Sequence, residues 1–242
     1  MLVCMAPVTA AFGGLAEGID AFNAMDYPIA IEELSPLVAA GDMQATYYLA
    51  CIRNPYFERI YSEEFVDVEA AYRLYGTAAA AGDPYAKYQL IRMRRLGWRN
   101  KNDRGHRYYR VVADAYVRLR ERAEDGDGIA ALMASAIPEH GAWQMLALSR
   151  KLLEGDARRG DATAQWHLAE AYLHSYDLNV RSNPLRAFAW ATVAVRNGNR
   201  HALIQQRMAA LWLRETEYRQ AEELAGRLIE DPAAPYPDAG RH

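Results

Sequence analysis

The sequence predicts an all-α solenoid of five helix pairs, with a capping helix at each end. Three observations predict it. First, an apolar helical stretch followed by Gly and then Asp or Asn returns five times, at Gly41, Gly82, Gly126, Gly160 and Gly198. The spacings of 41, 44, 34 and 38 residues are those of helix-pair repeats, and no β-type alternation separates the copies. Second, Ala stands four residues beyond every one of these glycines, at Ala45, Ala86, Ala130, Ala164 and Ala202. Third, a small residue stands eleven before, at Ala30, Ala71, Ala115, Ser149 and Ala187.

Each position has a physical role. Glycine ends the first helix of a pair because it enters the left-handed conformation without a Cβ penalty. The Asp or Asn that follows accepts hydrogen bonds from the free N–H groups that open the second helix. The small residues let the two helices of a pair approach closely. Eight residues past the glycine the pattern loosens, through Leu49, Leu90, Ala134, Leu168 and Gln206.

The elements follow in order. A capping helix is expected over 14–25. The first pair has helices over 28–40, where Pro36 is expected to kink the axis, and over 43–53. Residues 54–67 form an insertion carrying Tyr56, Phe57, Tyr61 and Phe65 among Glu58, Glu63, Glu64 and Asp67. The second repeat runs over 68–97, a second insertion over 98–106, and the third repeat over about 105–138, ending at Pro138. This repeat departs most from the pattern, with Arg118, Leu119 and Arg122 in place of the usual apolar set. The fourth begins near Gly141. Asn179, Ser182 and Asn183 precede the fifth, over 184–213, as start signals. A last helix over 216–230, charged on much of its surface, suits a C-terminal cap that shows water a polar face. Residues 231–242, with Pro232, Pro235 and Pro237, are expected to be disordered.

In these features the chain resembles the Sel1-like repeat family, a relative of the tetratricopeptide repeats. The likeness is clearest over 71–83 with Ala86 and Leu90, over 160–172, and over 187–199. It covers residues 15 to 215. The resemblance implies a right-handed superhelix whose first helices line a concave face that holds a protein or peptide partner. It also implies a scaffolding or regulatory role, often at the bacterial cell envelope.

Composition sets the bounds. At 242 residues and 51% hydrophobic, the chain can bury a continuous core. A net charge of -3 gives no reason to expect a nucleic acid. Two cysteines, Cys4 and Cys51, cannot make a disulfide framework, and Cys51 reads as a core residue. The apolar start over 1–12, which runs through Val8, Thr9 and Ala10, reads as the latter part of a secretory signal cleaved after Ala10 or Ala11. That places the protein in the periplasm or outside the cell; the alternative is a cytoplasmic protein with an apolar start.

The sharpest candidate surface is basic. Arg92, Arg94, Arg95, Arg99, Lys101, Arg104, Arg107 and Arg110 face one acid, Asp103, with Trp98, Tyr108 and Tyr109 interleaved. Arginine forks beside aromatic faces suit carboxylates, phosphates or an acidic segment of a partner. The competing reading is a solvated loop that pairs with the acidic insertion one repeat earlier. The candidate contacts of a partner are therefore Trp98, Arg99, Lys101, Arg104 and Arg107 in this stretch, and Tyr72, Arg73, Arg118 and Arg122 on first helices. Tyr56, Phe57, Tyr61 and Phe65 either form a docking patch or fold back as a satellite core.

No metal or cofactor is expected. His167 and His174 lie two turns apart on a helix, about 10 Å, which is too far for one ion. No catalytic motif is present, so an enzyme is not expected. Two alternatives to the scaffold remain: an envelope hydrolase or cell-wall-modifying enzyme built on a solenoid frame, and a secreted effector that binds a host protein.

Overall fold

The computed structural model describes residues 14–54, 63–95, 106–137, 142–174 and 181–236, with the side chains of α6 described from Val112 onward. These residues form twelve α-helices and two short 3-10 turns. The helices are α1 (Leu15–Asn23), α2 (Tyr27–Ala39), α3 (Met43–Arg53), α4 (Val68–Ala80), α5 (Pro84–Arg95) and α6 (His106–Glu124). Then come α7 (Gly128–Ser135), α8 (Ala142–Arg158), α9 (Ala162–Leu173), α10 (Pro184–Arg196), α11 (Leu203–Trp212) and α12 (Glu215–Glu230). Five antiparallel pairs run from α2–α3 to α10–α11, and α1 and α12 flank them. The fold is an all-α solenoid.

One hinge, used five times, produces it. Gly41, Gly82, Gly126, Gly160 and Gly198 have φ of 88°, 101°, 100°, 95° and 98°, where a side chain would be strained. The polar residue after each glycine does two jobs. Its N–H closes the first helix, as in Asp42 N–H to the Leu37 carbonyl at 2.9 Å and Asp127 N–H to the Arg122 carbonyl at 2.9 Å. Its side chain opens the second helix by accepting from a backbone N–H: Ala45 at 2.8 Å, Ala86 at 3.0 Å, Ala130 at 2.9 Å, Ala164 at 3.0 Å, and His201 at 3.1 Å from Asn199. In the first four hinges the invariant alanine is thus the residue whose N–H is capped, and all five alanines are buried.

Seven residues before each glycine stand Leu34, Tyr75, Leu119, Leu153 and Ala191, all buried. The central cavity is lined mainly by residues of the second helices. The expectation that first helices line the concave face is corrected accordingly: α3, α5, α7, α9 and α11 face inward. Cys51 sits in this core, where Tyr75 donates a hydrogen bond to its Sγ at 3.3 Å. Burial pushes the thiol up to about 12, so it stays protonated at neutral pH.

The ends of the solenoid meet. His201 Nε2 donates to the Phe22 carbonyl at 2.9 Å, with the two rings 4.5 Å apart. Asn199 donates to Asn23 Oδ1 at 3.3 Å, and Asn23 donates to Thr163 Oγ1 at 3.4 Å. The capping helix α1 therefore docks against the fourth and fifth hinges rather than ending free.

Two further expectations meet the structure. Residues 231–236 are not a disordered tail. Ala234 is buried, Trp190 Nε1 donates to the Tyr236 hydroxyl at 3.0 Å, and Arg158 donates to the Pro232 and Ala234 carbonyls. An aromatic ring four residues beyond the first of these carbonyls offsets the entropy of ordering the segment. Phe65 folds back on the core, 5.8 Å from the Tyr27 ring; Tyr56, Phe57 and Tyr61 lie outside the described residues, as does the candidate signal over 1–13. No helix among the described residues is long and apolar enough to cross a membrane.

Candidate functional site

The inward faces of the second helices enclose a cavity of about 670 Å³. Its wall is built by the repeat itself. The sixth and seventh residues after each hinge glycine are Tyr47 and Tyr48, Tyr88 and Gln89, Leu132 and Met133, Trp166 and His167, and Ile204 and Gln205. All ten line the cavity. Gln44, Tyr85, Ile129 and Thr163, three after the glycine, share that face, as do Arg92, Ala136 and Glu170, ten after. Residues three or four apart on a helix stand one above another, so these positions form one inward stripe.

Aromatic rings dominate one side. Tyr47 stands 5.7 Å from Tyr48 and 6.0 Å from Tyr85. Across the cavity Trp166 stacks on His167 at 4.1 Å and on His201 at 5.1 Å. The formal charges in the wall balance: Arg92 and Arg122 against Asp83 and Glu170. Asp83 is committed to its hinge. Arg122 Nε donates to Asp127 at 3.1 Å, Tyr85 donates its hydroxyl proton to the same carboxylate, and the Arg122 guanidinium lies 5.0 Å from the Tyr85 ring. One hinge residue, Asp127, therefore orients two side chains of the wall.

Glu170 stands between two histidines of its own helix. His167 Nδ1 is 3.2 Å from one carboxylate oxygen and His174 Nε2 is 3.7 Å from the other. Burial works against its charge. The hydrogen bonds and charge of His167 and His174 outweigh burial and hold the carboxyl well below the usual carboxylate range. From α5, Arg92 has its own charge opposed by burial, yet Tyr88 and Glu170 raise its pKa.

The sign for stability follows. A depressed carboxylate stabilises the fold above its unfolded pKa of 4.5 and loses that contribution as pH falls through the folded value. Urea melts of wild type and Glu170→Gln should differ fully above about pH 5 and converge as pH falls below about 4. A gap that widens in acid would contradict the assignment. The described residues hold no group of three or more His, Cys, Asp or Glu side chains placed to share a metal ion.

Two amides make the wall unusual. Gln89 is 2% exposed and Gln205 8% exposed, and the Oε1 of each has no hydrogen-bond partner among the described residues. Gln89 uses only its other end, donating to the Tyr47 hydroxyl at 3.4 Å. The fold satisfies such a group elsewhere: buried Gln165 donates to the Ala157 carbonyl at 2.9 Å and accepts from Asn197 at 2.9 Å. An unpaired buried acceptor is costly, and both side chains belong to the lining of the same cavity.

Of the named partner-contact candidates Arg122 alone is placed in this wall, joined there by Arg92 of the basic stretch and by His167 and His174. Tyr72 is half-buried against the core of the first helices, Arg73 is exposed on α4, and Arg118 pairs with Asp114 at 3.2 Å on the outside of α6. Trp98, Arg99, Lys101 and Arg104 lie outside the described residues, as does the Arg107 side chain. The aromatic and amide wall was missed because the repeat was read for what its packing needs, at four and eight residues past the glycine. The positions six and seven past it carry the signal, since they vary in chemistry while staying in phase.

No family model matches the sequence, and no curated protein is significantly similar to it. Among solved structures the chain is similar to c5321, a protective antigen of uropathogenic Escherichia coli strains that displays an SLR fold. That likeness has 21% identity over 88% of this chain and 46% of the other, with a TM-score of 0.36, so this chain spans less than half of that one. It is also similar to a Sel1 repeat protein from Oxalobacter formigenes, with 19% identity over 92% and 91% of the two chains and a TM-score of 0.39. The solenoid assignment rests on the chain's own five hinges and not on these likenesses.

Proposed function

We propose that this chain is a protein-interaction module that takes a segment of its partner into the central cavity. The observation that carries the reading is the cavity itself, lined at matching positions of all five second helices, with the aromatic and amide side chains of Tyr47, Tyr48, Tyr88, Trp166, Gln89 and Gln205 among them. A peptide segment supplies apolar side chains for the rings of Tyr47, Tyr48 and Trp166, and N–H donors that the Gln89 and Gln205 amides reach by a change of rotamer. The balanced charge of the wall favours a segment with little net charge. A volume of about 670 Å³ lies within the range of sites that enclose small ligands or a few residues of a peptide. The preformed wall keeps the ordering cost of binding low.

Binding rather than catalysis is favoured because the polar groups of the wall are committed to one another: Tyr85 to Asp127, Glu170 to His167 and His174, and the Gln89 amide nitrogen to Tyr47. The resemblance adds a bacterial cell-envelope setting to the proposal.

The test is selection of peptides from a displayed random library on the full chain, then affinity measurement on wild type and on Ala136→Trp. Ala136 lines the cavity without being part of its core, so the indole fills the space. Selected peptides should lose at least about tenfold in affinity for the filled variant while its thermal melt is unchanged. Equal affinity for both proteins would move the site elsewhere.

A further inference from the structure

A second groove, of about 660 Å³, opens on the outer surface between α8, the C-terminal end of α9 and the start of α10. Its lining includes five cations, Arg150, Lys151, Arg158, Arg181 and Arg186, against one carboxylate, Glu154. Arginines alternate with tyrosines along it. The Arg150 guanidinium lies 5.1 Å from the Tyr172 ring, Arg186 lies 5.6 Å from Tyr172 and 3.7 Å from Tyr236, and Arg158 lies 5.0 Å from Tyr236. Glu154 is taken by Arg158 at 2.9 Å.

The other cations are held without a carboxylate. Arg150 spends its N–H groups on the Ala171, His174 and Arg181 carbonyls at 2.9–3.0 Å, which closes the end of α9 but leaves its charge in place. Half-buried Arg186 reaches the Tyr172 hydroxyl at 3.4 Å. Burial lowers the Arg150 pKa, and the like charge of Arg186 lowers it further. Stacked, partly desolvated guanidiniums with one shared acid are a receptor for oxyanions.

The groove also reads peptide backbone. Arg158 Nη1 donates to the Pro232 and Ala234 carbonyls at 2.6 and 3.2 Å, and Tyr236 lies on Arg186. Residues 232–236 thus run along one rim in contact with the same side chains. We infer that this outer groove binds an acidic, extended peptide segment of a partner protein, its carboxylates on Arg150, Arg181 and Arg186, beside the chain's own residues 232–236. The site lies on the first-helix side of the solenoid and does not depend on the central cavity.

The probe is fluorescein-labelled hexaglutamate, titrated by fluorescence polarisation into the full chain, with hexalysine and inorganic phosphate as further arms. Hexaglutamate should bind, more weakly as salt rises, and hexalysine should not. Lys151 and Arg181 are exposed, so Lys151→Glu/Arg181→Glu leaves the core intact. It should cost at least about tenfold in affinity, with Arg186→Gln weakening binding as well. Replacing Arg99, Lys101 and Arg104 by Ser should leave the affinity unchanged. Absence of binding overturns the proposal. So does full affinity in Lys151→Glu/Arg181→Glu, which would assign binding to the basic stretch over 92–110. Displacement by phosphate at concentrations no higher than those of hexaglutamate would make the groove a site for a small oxyanion instead.

Discussion

Trp190→Ala should lower the stability of the chain by about 3–5 kcal/mol, the usual cost of truncating a fully buried tryptophan. Trp190 is 0% exposed and is the largest of the fully buried side chains. It projects from α10 beneath the Arg158 guanidinium of α8, 5.9 Å away, and its indole N–H holds the Tyr236 hydroxyl. The truncation therefore leaves a cavity and removes a hydrogen bond together. Tyr236→Phe separates the two terms, since it removes the hydrogen bond alone and should cost only about 1 kcal/mol. Urea denaturation followed by circular dichroism measures both. Where the loss is felt tests the closed architecture. In an open solenoid a damaged end repeat frays by itself. Here α1 docks on residues 199–201 through Phe22 and Asn23. Amide exchange in α1, more than 160 residues away in sequence, should accelerate in Trp190→Ala. Protection of α1 equal to wild type would mean that the first and last repeats are energetically independent.

The solenoid was legible because its hinge is a local device with a chemical signature. A positive φ demands glycine, and the free N–H groups of the next helix demand a short polar side chain, so the two stand together five times in the chain. The same logic shows what was hidden. A sixth hinge joins α1 to α2, with Met25 at φ 59° in the glycine's place and Asp26 accepting from Ile29 N–H. A search for glycine passes over it. The closure of the ring was hidden for another reason: the contacts of Phe22 and Asn23 with residues 163, 199 and 201 depend on how five small rotations accumulate, and no single repeat encodes that sum. The direction of curvature was misjudged for the same cause. The candidate site was only partly legible. Arg122 was found because a cation on an otherwise apolar face stands out. Gln89 and Gln205 were not, because a glutamine on a helix is unremarkable until the structure shows its carbonyl buried without a partner in a residue that lines a cavity. The outer groove was hidden likewise, since Arg150, Arg158, Arg181 and Arg186 are scattered over 37 residues of sequence.

Gln89→Met/Gln205→Met should make the chain more stable and a poorer binder. Methionine keeps the length and volume of glutamine and brings no acceptor. Each substitution removes a buried carbonyl that has no partner in the fold, a group that costs about 1–3 kcal/mol when left unsatisfied. Against this stands one long hydrogen bond from Gln89 to Tyr47 at 3.4 Å, whose loss offsets only part of the gain. The double variant should therefore gain roughly 1–3 kcal/mol in urea denaturation. Peptides selected on the wild-type cavity should bind it at least about tenfold more weakly, since their N–H donors would meet a thioether. The opposing signs are what make the experiment decisive. A residue kept for the fold loses stability when replaced, whereas a residue kept for a ligand holds the free protein in a less stable state until the ligand arrives. If the double variant is less stable than wild type, the two amides belong to the fold and lend the cavity no support as the binding site. If it is more stable and still binds selected peptides with full affinity, the amides are unused and the peptide is held by the rings of Tyr47, Tyr48 and Trp166 alone.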